Sequence, residues 1–444
     1  MVWFVIDTAA RLDVSGFEPS TRDLRGRRGY DPRVLVTVLL YAYCVGERSS
    51  RRIERRCWED VAFRVAAANL RPDHTTLSRF LKDHAEAFDG LFTQVLCVAQ
   101  RMGMGQVGVV SLDGTKIAAD ASPLAAKTKS KIAAEVARIT REARDTDAAE
   151  DEMFGERRGD ELPEDLVDTR SRRARLDQAI AEIEAQEAQD QDRPPSKRPK
   201  KPRRGNTTDP RARVVKGPRG FFPGYNAQAV ASQDQLIVAA DVTQDQADNH
   251  QYVPMIDQAQ ANLAAAGMNQ PAQALADNGY WSDDNVTSHL DDPADLANEA
   301  DLHIPIGTRR RHAGRRRAGR RRAAGRPRPS SRPRSTADVK GRPKPIIPPA
   351  RDKRRTPIPT IGPVPDGATP SQILERTLTG DHARNIYKQR ATTIEPIFGQ
   401  IKAPRGITRF RRRGLAAARH EWRLITTTHN IAKMWRHTIS PAPT

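Results

Sequence analysis

The chain has 444 residues, enough for two or three domains and at least one sizeable core. Lysine and arginine (74) exceed aspartate and glutamate (55), giving a formal charge of +19 and a pI near 10.3; most of the excess is arginine, whose fork matches phosphate oxygens, so nucleic acid leads as partner. Three cysteines without a Cys-x-x-Cys pair support neither a disulfide framework nor a zinc site, no apolar run is long enough to span a membrane, and the short apolar start at Met1 meets Asp7 without a basic leader, so the chain reads as cytoplasmic and nucleoid-associated.

Residues 1–104 read as an all-helical domain. Val34, Leu35, Val38, Leu39 and Ala42 recur at helical spacing behind Pro32, which suits a first helical position. A second helix begins at Ser49 or Ser50, a third covers Glu59 to Ala67, and a fourth follows Asp73 as its cap, turning Leu77, Phe80 and Leu81 inward. Arg48, Arg51, Arg52, Arg55 and Arg56 run between and along these helices. That pattern suits a helix-turn-helix-like DNA-binding module with Arg51 and Arg52 on phosphates, and it equally describes a helical bundle with a solvated basic face.

From Val107 the pattern changes. Val107 to Leu112, Tyr225 to Ala231 and Leu236 to Val242 read as strands, the last two joined by the hairpin turn Ser232-Gln233-Asp234-Gln235. A helix from Tyr252 to Ala265, a strand ending at Asp277, a helix after Ser282 and a strand at Leu302 to Ile306 follow. The order predicts an α/β fold over residues 105–437: a mixed sheet flanked by helices, of ribonuclease-H-like type, with a short tail at 438–444.

Two insertions interrupt it. Residues 124–206 carry Ile132, Val136 and Ile139, then Leu176, Ile180 and Ile183, which predict an antiparallel helical hairpin ending in a basic, proline-rich linker from Arg193 to Arg204. Residues 308–370 hold thirteen arginines between Arg309 and Arg334 with no acidic residue among them, a composition that predicts disorder and contact with phosphate backbones regardless of sequence.

Within this frame three carboxylates stand out. Asp113 follows the first strand and opens the polar turn Asp113-Gly114-Thr115-Lys116; Asp277 follows the fourth strand; Glu395 closes the stretch from Tyr387 and is followed seven residues later by Lys402. Singly, an aspartate at a strand end is more often a turn former. Jointly, two strand-end aspartates and a distant glutamate can hold two magnesium or manganese ions about 4 Å apart, one activating the attacking oxygen and one the leaving oxygen of a phosphodiester. Glu395 and Lys402 would share a helix face. Trp281 suits stacking on a flipped base or a place in the core. Asp209, Arg213 and Lys216 are placed to line a DNA channel, whereas Asp248-Asn249-His250, despite its ligand-like composition, reads as an ordinary polar loop.

These residues carry a resemblance. Gly29-Tyr30-Asp31-Pro32, Arg48-Ser49-Ser50-Arg51-Arg52-Ile53-Glu54, Arg71-Pro72-Asp73-His74-Thr75-Thr76, Leu112-Asp113-Gly114-Thr115-Lys116, Thr208-Asp209-Pro210, Gly224-Tyr225-Asn226-Ala227-Gln228, Ala276-Asp277-Asn278-Gly279-Tyr280, the run Glu395 to Lys402 and Thr428-His429-Asn430 occur in an order that resembles bacterial insertion-sequence transposases of the DDE class, in the branch with a Tyr-Arg-Glu-Lys signature. The resemblance covers most of the chain outside the two insertions. It implies that Asp113, Asp277 and Glu395 ligate the two metal ions, that Tyr387, Arg390 and Lys402 contact phosphate, with Lys116 beside them, and that element ends are hydrolysed before the freed 3′-hydroxyl attacks target DNA. It also implies a homodimer in the DNA complex and additional residues before the present start. A catalytically silent DNA-binding derivative and a ribonuclease-H-like nuclease without strand transfer are the alternatives.

One spacing departs from the signature. Four residues, Ala391 to Ile394, separate Arg390 from Glu395 where three are usual, which on an unbroken helix turns Arg390 roughly 140° away from Glu395. Pro396 predicts a kink or restart of the helix there.

Overall fold

The structure is a computed structural model that describes residues 1–18, 29–154, 164–217, 220–290, 341–349, 357–359, 363–365, 367–379 and 381–439. The expected strand at 302–306, the arginine tract at 309–334 and the end of the tail lie outside the described residues.

Among the described residues the N-terminal part contains six α-helices: α1 (Val2–Ala10), α2 (Pro32–Cys44), α3 (Ser50–Glu59), α4 (Val61–Ala66), α5 (His74–Asp83) and α6 (Ala85–Arg101). Their starts follow from local chemistry. Asp31 accepts from the Arg33 N–H at 2.8 Å ahead of Pro32, Asp60 accepts from the Ala62 N–H at 2.8 Å, and Asp73 accepts from the Thr76 N–H at 2.8 Å. Behind α2, Gly46 takes φ +83°, and a Cβ there would lie 2.6 Å from the Arg405 carbonyl oxygen, so glycine permits the close approach. The buried Arg405 guanidinium then donates to the carbonyl oxygens of Tyr43 and Ile425 and to Thr428 Oγ1, stitching α2 to the C-terminal part.

The sheet is built from β1 (Val109–Ala118), β4 (Arg213–Gly217), β5 (Gly220–Ala231), β6 (Ile237–Thr243), β7 (Gln273–Leu275) and β8 (Lys344–Ile346); a separate two-stranded ribbon pairs β2 (Ala126–Thr128) with β3 (Arg204–Asn206). Its central order is β6-β5-β1-β7-β8, with β6, β5 and β1 antiparallel and β1, β7 and β8 parallel. Helix α9 (Tyr252–Ala265) and the long C-terminal helix α14 (Leu415–Ile439) cover β6, whose Ile237, Val238, Ala239 and Ala240 are all buried, as in a strand covered on both faces. Asn430 on α14 caps the Ile237 backbone from both sides, accepting from its N–H at 2.8 Å and donating to its carbonyl at 2.7 Å. The helix expected after Ser282 is the single turn α10 (Asp283–Val286), capped by the Ser282 hydroxyl. One continuous apolar core runs from Val5 through Leu112 and Tyr225 to Met434 and joins the N-terminal helices to the sheet.

The expected helical hairpin is present as α7 (Lys129–Phe154) and α8 (Glu164–Gln191), zipped by Ile132, Ile139, Leu176, Ala179 and Ile183, with Val136 and Ile180 packed beside them. The linker after it has no α-helix, and Arg203 folds back onto Asp190 with two contacts of 2.7 Å.

Two expectations change. β1 does not stop at Leu112 but continues to Ala118, because β5 is long enough to pair with it from Ser111 to Ala118; Asp113-Gly114-Thr115-Lys116 is strand rather than turn. A strand that adds to β7 comes from Lys344–Ile346, inside the stretch expected to be disordered; Ile346 packs with Leu275 and Ile386, and Ile347 joins the main core.

Candidate active site

Asp113 and Asp277 meet because of strand register. β7 pairs with β1 only from Val109 to Ser111, opposite Gln273 to Leu275, so both aspartates lie two residues beyond the last pair, where the parallel edge opens. Asp277 is also the turn former its local sequence suggested, accepting from the Gly279 N–H at 2.8 Å through Oδ1. Glu395 arrives from the other side, as the first residue of α13 (Glu395–Lys402), which follows α11 (Pro370–Thr379) and α12 (Asp381–Thr393).

The break between α12 and α13 is where Pro396 required it. The Thr392 carbonyl, which a proline cannot engage, accepts instead from Gln235 Nε2 at 2.8 Å, and the Ile397 N–H turns to the Ile394 carbonyl. Thr393 Oγ1 and Ser111 Oγ, 2.6 Å apart and buried, fasten the end of α12 to β1.

This kink brings Arg390 into the middle of the carboxylates. Its guanidinium lies 2.7 Å from Asp113 Oδ2, 3.0 Å from Glu395 Oε1 and 4.0 Å from Asp277 Oδ2. The helical-wheel conflict raised by the four-residue spacing is thus removed by the kink. Burial pushes the Asp113 carboxyl up to about 6, opposed by Arg390 and by the Gly114 N–H, with Asp277 and Asp248 adding to the upward push. Among the described residues no three acidic, histidine or cysteine side chains form a group able to hold a metal ion, and Arg390 supplies the countercharge instead. The donor chemistry suits magnesium or manganese, since all three are carboxylates with hard oxygen donors, but with Arg390 between them they are not gathered into a metal-holding group.

Lys402 donates to Thr115 Oγ1 and, at 3.3 Å, to the Lys116 carbonyl, which fixes its ammonium beside β1; burial lowers its pKa, with Asp113 pulling the other way. Tyr387 is half-buried against Leu275, Ile346 and Ile386, and burial raises its hydroxyl pKa. Lys116 contacts the Gln246 carbonyl at 3.2 Å and Asp248 at 3.5 Å. Trp281 packs between the main core and the small cluster of Val286, Ile373 and Leu374. Arg51 and Arg52 are exposed on α3, far along the chain from these groups, and Arg52 already pairs with Glu47 at 3.1 Å.

Three assignments are corrected. Arg48 is no surface cation: it is buried against Glu421 at 2.6 Å. Asp209 lines no channel, being fully buried where it accepts from the Tyr225 hydroxyl at 2.8 Å and the Gly414 N–H at 3.1 Å. Arg213 is spent on Glu182 of the helical hairpin at 2.6 Å. Conversely, Asp248, set aside in the sequence as part of an ordinary polar loop, and Asn226, Gln228 and Tyr280, given no site role there, lie beside the candidate site. Asn226 and Gln228 donate to Asp248 Oδ1 at 2.6 and 2.8 Å, and the buried Tyr280 hydroxyl donates to Gln228 Oε1. A visible signal was the position of Asp248 between a strand and the helix that follows it.

Two family models match the chain. One described as Transposase domain (DUF772) covers residues 5–83, and one described as Transposase DDE domain covers residues 190–431, more than half of the chain. No curated protein and no solved structure matches it.

Proposed function

Because the chain belongs to the family of DDE transposases, we propose that it binds the terminal inverted repeats of a bacterial insertion sequence, cuts there and joins the freed 3′-hydroxyl to target DNA. The observation that carries this reading is the single Arg390 guanidinium in contact with Asp113, Glu395 and Asp277, groups drawn from three remote segments. The strand order β6-β5-β1-β7-β8, with its antiparallel and parallel halves, supports a ribonuclease-H-like catalytic fold.

In this reading Asp113, Asp277 and Glu395 hold two magnesium or manganese ions. When bound, these ions activate the attacking oxygen and stabilise the leaving one. Arg390 balances the carboxylates before the ions enter and then turns its fork to the phosphate of the cut strand. Lys402, held by Thr115, presents a second positive charge to that phosphate, and Tyr387 and Lys116 border it.

The N-terminal helices supply the DNA-binding surface. On α3, Arg52, Arg55 and Arg56 are paired with Glu47, Glu59 and Asp60, whereas Thr75, Ser78, Arg79 and Lys82 of α5 line one shallow pocket together with Asp83, and Arg79 and Lys82 are in no ion pair among the described residues. Four such side chains at i, i+3, i+4 and i+7 suit a helix in the major groove, with Arg51 on the flanking phosphates. Two element ends must be held together, which makes a homodimer the expected active form.

Strand transfer is the step that separates a transposase from a nuclease. A pre-cut element end with a free 3′-hydroxyl, incubated with plasmid and magnesium, is expected to become covalently joined to the plasmid. Plasmid nicking without joining would instead favour a ribonuclease-H-like nuclease.

A further inference from the structure

β7 pairs with β1 only as far as Leu275 and Ser111, and among the described residues the last backbone bond from this segment to the sheet runs from the Ala276 N–H to the Ile346 carbonyl at 3.3 Å. Asp277 therefore sits on a turn that no strand pairing among the described residues holds against Asp113. A side-chain contact does so instead. Tyr280, three residues on and fully buried, has its N–H 3.2 Å from the Asp277 carbonyl, and its hydroxyl donates to Oε1 of the fully buried Gln228 on β5.

Gln228 reaches Tyr280 by crossing β1. It stands opposite Gly114 in the β1–β5 register, and a Cβ at Gly114 would lie 2.5 Å from Gln228 Nε2, so the residue next to Asp113 is a glycine where the amide passes. Both ends of that amide are used. Nε2 donates to the carboxylate oxygen Asp248 Oδ1 at 2.8 Å, which fixes the orientation of the amide and leaves Oε1 for the tyrosine. Burial holds the Tyr280 hydroxyl in its neutral, donating form. Trp422 Nε1 donates to the Gln228 carbonyl at 2.9 Å and Asn285 Nδ2 to the Tyr280 carbonyl at 2.6 Å, so each partner is anchored on its own side of the bond.

We propose that Gln228 and Tyr280 are positioning residues that set the separation of Asp113 and Asp277, acting through one buried hydrogen bond that links β5 across Gly114 to the Asp277 turn. Neither side chain hydrogen-bonds to Asp113, Asp277 or Glu395 among the described residues, so the pair acts through the backbone it holds. The consequence for cutting rests on the reading of those three carboxylates as the reacting set; the hold on the turn does not.

Hydrogen–deuterium exchange of the full chain reads that hold without recourse to activity. In Tyr280→Phe, which keeps the ring and loses only the hydroxyl, exchange in the peptide from Asp277 to Trp281 is expected to rise about tenfold, while the β1–β5 ladder from Ser111 to Ala118 keeps its protection. Unchanged exchange in the turn overturns the proposal whether or not the chain cuts DNA. Cutting at saturating DNA is expected to fall about 10- to 100-fold in Tyr280→Phe and in Gln228→Met, with DNA affinity kept; Asp248 retains the Asn226 amide in both. Combining the two substitutions replaces both partners by apolar groups, which is expected to bring Tm back toward the wild type while cutting stays low. Recovery of cutting together with Tm assigns the pair to stability alone and overturns the positioning role. A wild type that cuts no DNA, with exchange in the turn raised in Tyr280→Phe, overturns the three-carboxylate reading and with it the role in cutting, and leaves the bond as a structural tie.

Discussion

Replacing Arg390 by alanine removes a guanidinium shared by three carboxylates. Its side chain is 13% exposed and that of Asp113 18%, whereas Glu395 is 53% exposed, so most of the loss falls on Asp113. Removing one partner of a buried pair costs about 3–5 kcal/mol, and the open edge of this site argues for the lower end, about 3 kcal/mol. A chain of 444 residues has an unfolding entropy of about 0.9 kcal/mol/K, so that loss lowers Tm by about 3 °C. If Asp113, Asp277 and Glu395 bind a divalent ion as proposed, the ion replaces the missing countercharge in the variant, and at a hundredfold excess over its Kd it contributes about 2.7 kcal/mol, or about 3 °C. The wild type would have to displace its own guanidinium to bind the same ion and would gain less. Thermal melts of both proteins in chelator and in saturating magnesium read these shifts directly. If Arg390→Ala melts with the wild type in chelator and gains no more from magnesium, Arg390 is not the internal counterion of a metal site.

Other expectations follow from individual side chains. Gly114→Ala puts a Cβ 2.5 Å from Gln228 Nε2 and 3.0 Å from Asn226 Oδ1 and Asp248 Oδ1, which must shift these side chains; DNA cleavage is expected to fall about 100-fold, and an unchanged rate would show that this packing does not position the site. His429 is buried with Nε2 3.2 Å from the Gln235 carbonyl, and burial pushes its pKa from 6.5 down to about 3. The unfolded chain therefore binds a proton that the folded chain refuses between these values, so stability present above pH 6.5 declines toward pH 3 by about 1.4 kcal/mol per unit. His429→Gln should flatten that slope in denaturant titrations, and a slope equal to wild type would contradict it. Deleting residues 309–334 should reduce the salt dependence of non-specific DNA affinity by about 0.9 log units for each phosphate the tract neutralises. An identical slope in filter binding would mean that the tract does not touch DNA.

Much of the site was legible where chemistry is local. Asp113, Asp277 and Glu395 were visible as acids beside strand and helix signals, and the proline at 396 forecast the break that lets Arg390 reach them. The helical hairpin could be read from Ile132, Val136, Ile139, Leu176, Ile180 and Ile183 because its period lies within each helix. What stayed hidden depends on pairing between distant segments. Asp248 looked like a loop residue because nothing local reveals that Asn226 and Gln228 stand across from Lys116 and Gly114. β1 was read too short because the partner that extends it begins about a hundred residues later. Arg48 and Asp209 looked like surface charges because their partners, Glu421 and Tyr225, come from elsewhere in the chain. The strand at Lys344–Ile346 escaped notice inside an arginine- and proline-rich stretch, since three residues are too few to show a period.

The most direct test of the central claim is cleavage of labelled DNA carrying the sequences that flank this gene, with wild type and Asp277→Ala compared in the presence and absence of magnesium. The expected result is cutting at the element ends that requires magnesium and disappears in the variant while DNA binding persists. Cutting by Asp277→Ala at the wild-type rate would contradict the site, and tight binding without cutting by either protein would mark a silent DNA-binding derivative.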